Sequence, residues 1–340
     1  MKPAISVRGA ALLAALLVVL AIVPPAIGGY LIRAITSYLI FGLLALSVGL
    51  ITGYGRLFNV GVGAVFGVSG YCIAMLSQQG IFNPWLLLLC SVATGVIVSV
   101  LFGLYALMAS GTEYLMLTFL TTLAFAGIPK AAKIITGGDN GLSVKGGLEV
   151  SFGLNPLRGN GFYWLVLGVT AGCALLSWYV LSSQAGRAVR AIGRNPIRAA
   201  AMGYNVAAYR MALTLFSGLV AALGGWLYAL QNSFVFEGLL GLSNSLNGLV
   251  FALIGGVDTI LGPLIGAAGL KYITDLLSQR STQSSLYIGI VLLLVVYLIP
   301  DGLLGLASRL RRRSTPSAPA PSEDVAAPEL ALKPDQQTLV

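Results

Sequence analysis

"WLLLLCSVATGVIVSVLFGLYALM" fills residues 85–108 without one charged side chain. Backbone immersed in lipid can satisfy its hydrogen bonds in two ways, as a helix or as a closed barrel. A barrel strand alternates apolar and polar residues over about ten positions. This run does not alternate and is roughly twice that long, so it reads as a membrane helix. The chain around it repeats the pattern. The expected fold class is therefore all-α: a polytopic integral membrane bundle.

Composition leads to the same place. Of 340 residues, 57% are apolar and only 9% are charged, with a mean hydropathy of +0.90. A soluble domain carries roughly a quarter charged residues, so this chain cannot cover a water-facing surface. The formal net charge of +9 fits the excess of Lys and Arg that marks cytoplasmic loops, and no nucleic-acid partner is expected. Histidine is absent, which removes the commonest general base and metal ligand. Cys72, Cys90 and Cys173 lie inside apolar runs and read as small buried hydrophobes. No catalytic residue, cofactor or metal site is expected in this chain.

The apolar runs are 9–23, 31–52, 57–76, 85–108, 114–135 and 162–181. The first follows Lys2 and Arg8 and reads as an uncleaved helix that starts inside. Six crossings return the chain to the inner side just before Gly186, and Arg56 also falls inside, as the positive-inside rule requires. Lys130 and Lys133 lie against this pattern, near the outer end of their helix; they read as outer-edge residues or as members of the transport path. Beyond the arginines come 207–230, a glycine-interrupted region 246–277, and 286–299. Arg309, Arg311, Arg312 and Arg313 mark the inner side again, so the interrupted region supplies two short spans or a re-entrant pair. The total is about eight to ten spans. The membrane domain is 1–306; the basic stop and a Ser, Pro, Ala and acid-rich disordered tail make up 307–340. Both termini are expected in the cytoplasm of a bacterium, with the chain in its inner membrane.

Glycines are numerous, 43 in all. Gly63 and Gly67, Gly168 and Gly172, and Gly262 and Gly266 are four apart, a spacing that lets two helix backbones approach closely. "IGGVDTILGP" interrupts its apolar run with Gly255, Gly256, Asp258, Gly262 and Pro263. A break at membrane depth survives inside protein or beside a water-filled cavity, which makes these five residues candidates for the translocation path. Asp258 reads more readily as a cap for the second half-helix. The outer loop 136–160 opens "TGGDNG", and Thr136, Gly137, Gly138, Asp139, Asn140 and Gly141 are its candidate gate residues. Glu113, Glu237, Asp275 and Asp301 lie near span ends, where a proton-coupled carrier would not place its titrating group.

"GRAVRAIGRNPIRAAAMGYNVAAYRM", residues 186–211, holds five arginines and no carboxylate. Gly186 is expected to end the preceding helix. Asn195 and Pro196 read as cap and first turn of a short helix, Gly203 as its stop, and Asn205 as the cap of the next span. Topology alone explains the charge. A docking helix explains both the charge and the capped run of small residues, with unpaired arginines meeting acids on a cytoplasmic partner. Its candidate coupling residues are Arg187, Arg190, Arg194, Asn195, Pro196, Arg198, Ala199, Ala200 and Gly203.

Four stretches in order carry a resemblance: "TGGDNGLS" from Thr136, the arginine segment from Gly186, "IGGVDTILGPLIGAA" from Ile254, and "IPDGLLGL" from Ile299. Together they resemble the branched-chain amino acid permeases of binding-protein-dependent ABC importers, on the LivM side of the LivH/LivM pair, over roughly residues 31–306. The resemblance implies a second, LivH-like permease subunit, two cytoplasmic ATPase subunits and a periplasmic substrate-binding protein as partners. It implies that ATP hydrolysis occurs outside this chain. Two stretches depart from the family's pattern, "RLFNVGVGAVFGVSGY" and "YLMLTFLTTLAFAG", and both belong to helices near the path. Urea, short amides, and aromatic or organic acids are therefore alternative substrates to branched-chain amino acids. An ATP-independent secondary transporter is the alternative mechanism.

Overall fold

The computed structural model describes residues 28–145 and 161–280. The expected first helix at 9–23, the loop 146–160, the run 286–299, the stretch from Ile299, the basic stop and the tail lie outside the described residues.

Among the described residues, eight helices of 14 residues or more follow the expected order. They are α1 (Gly29–Gly49), α2 (Val62–Gln78), α3 (Pro84–Met108), α4 (Thr112–Ala131), α6 (Gly161–Ser182), α9 (Val206–Asn232), α10 (Leu242–Gly255) and α11 (Leu261–Arg280). Between them are a one-turn helix α5 (Lys133–Thr136) and two helices of the arginine segment, α7 (Gln184–Arg194) and α8 (Pro196–Ala201). Five described helices are long and apolar enough to cross a membrane: Gly29–Tyr54, Pro84–Met108, Thr112–Ala131, Gly161–Ser182 and Val206–Asn232. Val62–Gln78 and Leu242–Gly255 are shorter apolar helices. The described strands are β1 (Leu142–Ser143) and β2 (Phe234–Val235), an antiparallel pair that ties two loops together at one end of the bundle.

The core forms where α9 packs against α1, α2 and α3. Phe41, Phe66 and Tyr228 bring α1, α2 and α9 together, with ring centroids 5.7–6.3 Å apart. Hydroxyls bridge the helices where they cross: Ser217 donates to the Ser47 carbonyl at 2.7 Å, and Ser91 to that of Ser69 at 2.9 Å. A side chain on Gly225 would strike the carbonyl of Phe66, and one on Gly218 would strike Ser99. Backbones this close leave room for nothing but hydrogen.

The glycine pairs divide. Gly63 and Gly67 pack against Ser245 and the Leu239–Leu240 backbone, and Gly262 and Gly266 against Gly255, Gly256 and Phe251. Gly168 and Gly172 depart from the expectation: nothing lies within 4 Å of a Cβ on either. Their face of α6, with Trp164 and Tyr179, is turned away from the rest of the described chain.

The expected span 57–76 also differs at its start. The last turn of α1 widens into a π-helical segment, Leu50–Tyr54. From Gly55 to Val60 the chain is not helical, yet Leu57, Asn59 and Val60 are buried. Gly61 abuts the ring of Phe102, six residues before the end of α3. At 1.5 Å per residue α2 therefore begins ~9 Å in from that end. The backbone groups freed there find side chains. The Val60 amide donates to Thr118 at 3.4 Å, its carbonyl accepts from Thr122 at 3.2 Å, and the Gly61 amide donates to Asn59 at 2.7 Å.

Replacing Gly225 with Val should cost more than about 1–3 kcal/mol, because overpacking here meets backbone instead of a movable side chain. Gly168→Val should leave stability unchanged. Thermal unfolding of the detergent-solubilised protein reads both; a Gly225→Val melting temperature equal to wild type would contradict the packing.

Candidate functional site

The candidate residues collect at opposite ends of the bundle. The arginine end holds Arg56, α7, α8 and the Gly255–Gly262 break. The glycine-loop end holds 136–141 and the chain that leaves α9.

At the arginine end, α8 is capped as its sequence dictates. The Asn195 side chain accepts from the Arg198 amide at 2.9 Å, Pro196 occupies the first turn, and Gly203 turns the chain away at φ +86°. Asn205 accepts from the Ala208 amide at 3.1 Å and starts α9. Two expectations are corrected. Gly186 does not end a helix; it lies within α7, packed against the Leu181 carbonyl. The segment therefore holds two helices. The other concerns the small face: Ala199 is 1% exposed and serves the fold, while Ala200 faces outward. The exposed face also carries two large apolar residues that sequence reasoning passed over, Ile197 at 82% and Met202 at 66%.

The arginines have separate duties. Arg187, Arg194 and Arg198 are exposed. Arg190 turns inward: it donates to the Leu181 carbonyl at 2.7 Å and lies 5.6 Å from the centroid of the Tyr54 ring. Arg210 donates to the Ala106 carbonyl at 3.1 Å, tying α9 to α3. Gly193 abuts the carbonyls of Tyr54 and Gly55. The arginine segment thus rests on the π-helical end of α1.

The glycine break docks on the same point. Tyr54 donates its hydroxyl to the Asp258 carbonyl at 3.2 Å, and the Asp258 carboxylate pairs with Arg56 at 3.3 Å. Both charged side chains are more than half exposed, so the pair itself contributes little. Capping of α11 falls to Thr259, which accepts from the Gly262 amide at 3.0 Å, and not to Asp258. Gly255 and Gly262 interlock backbone to backbone, Gly256 takes φ +102°, and Pro263 packs against Gly49. Tyr54 and Arg56 complete this arrangement; the signal for them was "TGYGR", a glycine-rich helix end beside a charge.

At the other end Gly137, Gly138 and Gly141 all take positive φ. The Thr136 hydroxyl is held by the Pro129 and Ala132 carbonyls at 2.7 and 2.8 Å. Gly141 abuts the Val235 carbonyl, and Asn140 is exposed. Asp139 lies 3.6 Å from Lys130, which also pairs with Glu237 at 3.1 Å. That pairing explains the lysine that fitted poorly in sequence: it joins α4, the glycine loop and the chain leaving α9. Between α2, α3, α4 and Leu240 is a cavity of about 430 Å³, which Thr136 also lines. None of the five glycine-break residues lines it. Among the described residues no group of three or more His, Cys, Asp or Glu could hold a metal ion.

Apolar helices of membrane length, with a capped basic helix at one end of the bundle, define a multi-pass membrane protein. The profile of the family described as branched-chain amino acid transport system, permease component, matches residues 30–300. The chain belongs to that family. It is accordingly an ABC transporter permease of the inner membrane, not an enzyme. It is 24% identical over 296 residues to the high-affinity branched-chain amino acid transport system permease protein LivM of Salmonella typhimurium, covering 79% of this chain and 68% of that one. It is 26% identical over 258 residues to the fructose import permease protein FrcC of Rhizobium meliloti, covering 71% and 70%. A shorter match, 46% over 57 residues, is to the nucleoside ABC transporter permease protein NupC of Lactococcus lactis; it covers 16% of this chain and 18% of that one.

Asn195→Ala should lose about 1 kcal/mol of local stability, the usual worth of a cap. Hydrogen exchange of the 197–202 amides should accelerate about fivefold while α9 is unaffected. Equal acceleration in both helices would show that Asn195 acts on the whole fold.

Proposed function

We propose that this chain is one of two permease subunits of an ATP-driven importer for branched-chain amino acids. Its partners are a second, LivH-like permease, two cytoplasmic ATPases and a periplasmic substrate-binding protein. The arginine end faces the cytoplasm, where positive charge is retained, and the glycine-loop end faces the binding protein. Both termini are cytoplasmic.

The observation that carries this reading is the exposed Ile197 and Met202 on a capped helix, flanked by Arg194 and Arg198. Apolar anchors ringed by uncompensated charge suit a groove on a protein partner better than a lipid surface alone. Motion of α8 and α7 reaches the bundle at Tyr54, through Arg190 and the Gly193 contact, and Tyr54 passes it to the Asp258 turn. Residues 136–141 act at the outer gate. The glycine break works as a hinge that borders the path at its inner end.

Fructose and nucleoside permeases among the relatives support a second reading of the cargo, a polyhydroxylated solute, in the same importer. Urea, short amides and aromatic or organic acids are further alternatives. The mechanism is tested by uptake into vesicles that hold the assembled complex. Arg194→Glu combined with Arg198→Glu, or Ile197→Asp alone, should lower ATP-driven leucine uptake more than about tenfold without loss of assembly. Normal uptake in both variants would reduce the segment to a topology signal, and uptake without ATPases would establish an independent carrier.

A further inference from the structure

One ion pair lies where lipid alone would not suit it. Lys271 and Asp275 of α11 pair at 3.2 Å, with 27% and 32% of their side chains exposed. The contacts of this region climb along α1. Val257, just before α11, meets Gly53, Pro263 meets Gly49, and the Lys271 ammonium lies 5.5 Å from the centroid of the Phe41 ring. Phe41 is midway along the 26-residue span Gly29–Tyr54. The ammonium is therefore near mid-depth. Asp275, expected near a span end, is only ~6 Å further on, about one turn of helix. Tyr38 of α1 is beside that carboxylate.

Charged side chains at that depth face protein or water, because hydrocarbon penalises them. An ammonium has three donors and a carboxylate about four acceptor sites, so one contact between them leaves capacity that a neighbour can use. This side of α11 also permits close approach. Nothing lies within 4 Å of a Cβ on Gly269, and Tyr272 and Ile273 are exposed. Small residues beside a polar group are what associates helices within a bilayer. A water-filled path suits the place less well, since Leu264, Ala268 and Ile273 flank the pair with apolar surface. Nor do the apolar runs outside the described residues match it: 9–23 holds no polar side chain, and 286–299 holds only Tyr287 and Tyr297, near its two ends. By contrast α6, whose Gly168 and Gly172 are equally open, carries no charged side chain and suits lipid.

We infer that this side of α11, with Lys271 and Asp275 at its centre, is the surface on which the second permease subunit packs. The partner it fits is a membrane helix that brings a charged or hydrogen-bonding side chain to the same depth and lies close over Gly269. The inference rests on the importer reading for the existence of that subunit and adds which face receives it. The pair is not needed to seat α11 in its own chain. Gly266 already abuts the Phe251 carbonyl of α10, and Pro263 and Leu264 pack against Gly49 and Gly42 of α1.

Photo-crosslinking reads the contact. In the assembled complex in vesicles, benzoylphenylalanine replaces Tyr272, or replaces Leu175 on the exposed face of α6 as the control. Irradiation should join the Tyr272 variant to the second permease subunit, identified by mass spectrometry of the adduct, and the Leu175 variant to no protein. Lys271→Met combined with Asp275→Leu removes both charges together, a change that a fold tolerates. It should keep the melting temperature of the solubilised chain and lower co-purification of the second permease about threefold or more. A pair that only ties α11 to α1 gives the opposite pattern, a lower melting temperature with co-purification unchanged, and overturns the inference. Adducts from Tyr272 that stay within this chain, join two copies of it or fail to form also overturn it. Capture of the second permease from Leu175 alone does the same, since it moves the contact to α6. ATP-driven uptake alongside any of these outcomes leaves the importer reading standing. If the wild-type complex holds no second permease, both readings fall.

Discussion

The structure depends on how closely α9 lies against α1, α2 and α3. Lipid tails are as apolar as leucine, so side-chain burial drives helix association far less in a bilayer than in water. What remains is dispersion, which needs contact, and hydrogen bonds between helices. Gly218 and Gly225 supply contact by removing the side chain where Ser99 and the Phe66 carbonyl arrive. Ser217 and Ser91 supply the bonds. With that crossing fixed, α10 and α11 have a wall to fold onto, and the chain leaving α9 is set beside the glycine loop.

Tyr54 is where two otherwise separate features meet. The arginine segment touches its ring and its carbonyl; the glycine break touches its hydroxyl. A π-helical segment carries it, and such bulges recur at functional positions because they re-aim side chains out of the regular ladder. The two features are about sixty residues apart in sequence but share this one side chain. Movement of either has a direct steric effect on the other.

Much of this was legible in the sequence, and the reason differs by element. The long helices were legible because lipid tolerates little else. The caps at Asn195 and Asn205 were legible because capping is decided within three residues. The extended stretch before α2 was not, since its peptide groups are satisfied by Thr118 and Thr122, 58 and 62 residues on. The helix α7 was hidden by treating Gly186 as a stop, although Ala188 and Ile192 give it a buried face and Arg187 and Arg194 an exposed one. The Ala199 side chain looked like part of a free surface because small size alone does not say which way a residue points. The cavity was out of reach altogether: α2, α3, α4 and Leu240 each contribute a part, and no local pattern announces their meeting.

Among the helices around that cavity, α4 is fastened differently from the rest. The bundle buries only 22% of its apolar window, against 72% for α1 and α9. Hydroxyls of Thr118, Thr121 and Thr122 and the Lys130 ion pairs hold it, while Phe125, Ile128 and Pro129 line the cavity. A wall attached at a few polar points can change its apolar residues without disturbing the core. A new side chain on that face of α4 should then alter the cavity and cost the fold little. The stretch "YLMLTFLTTLAFAG" belongs to that helix.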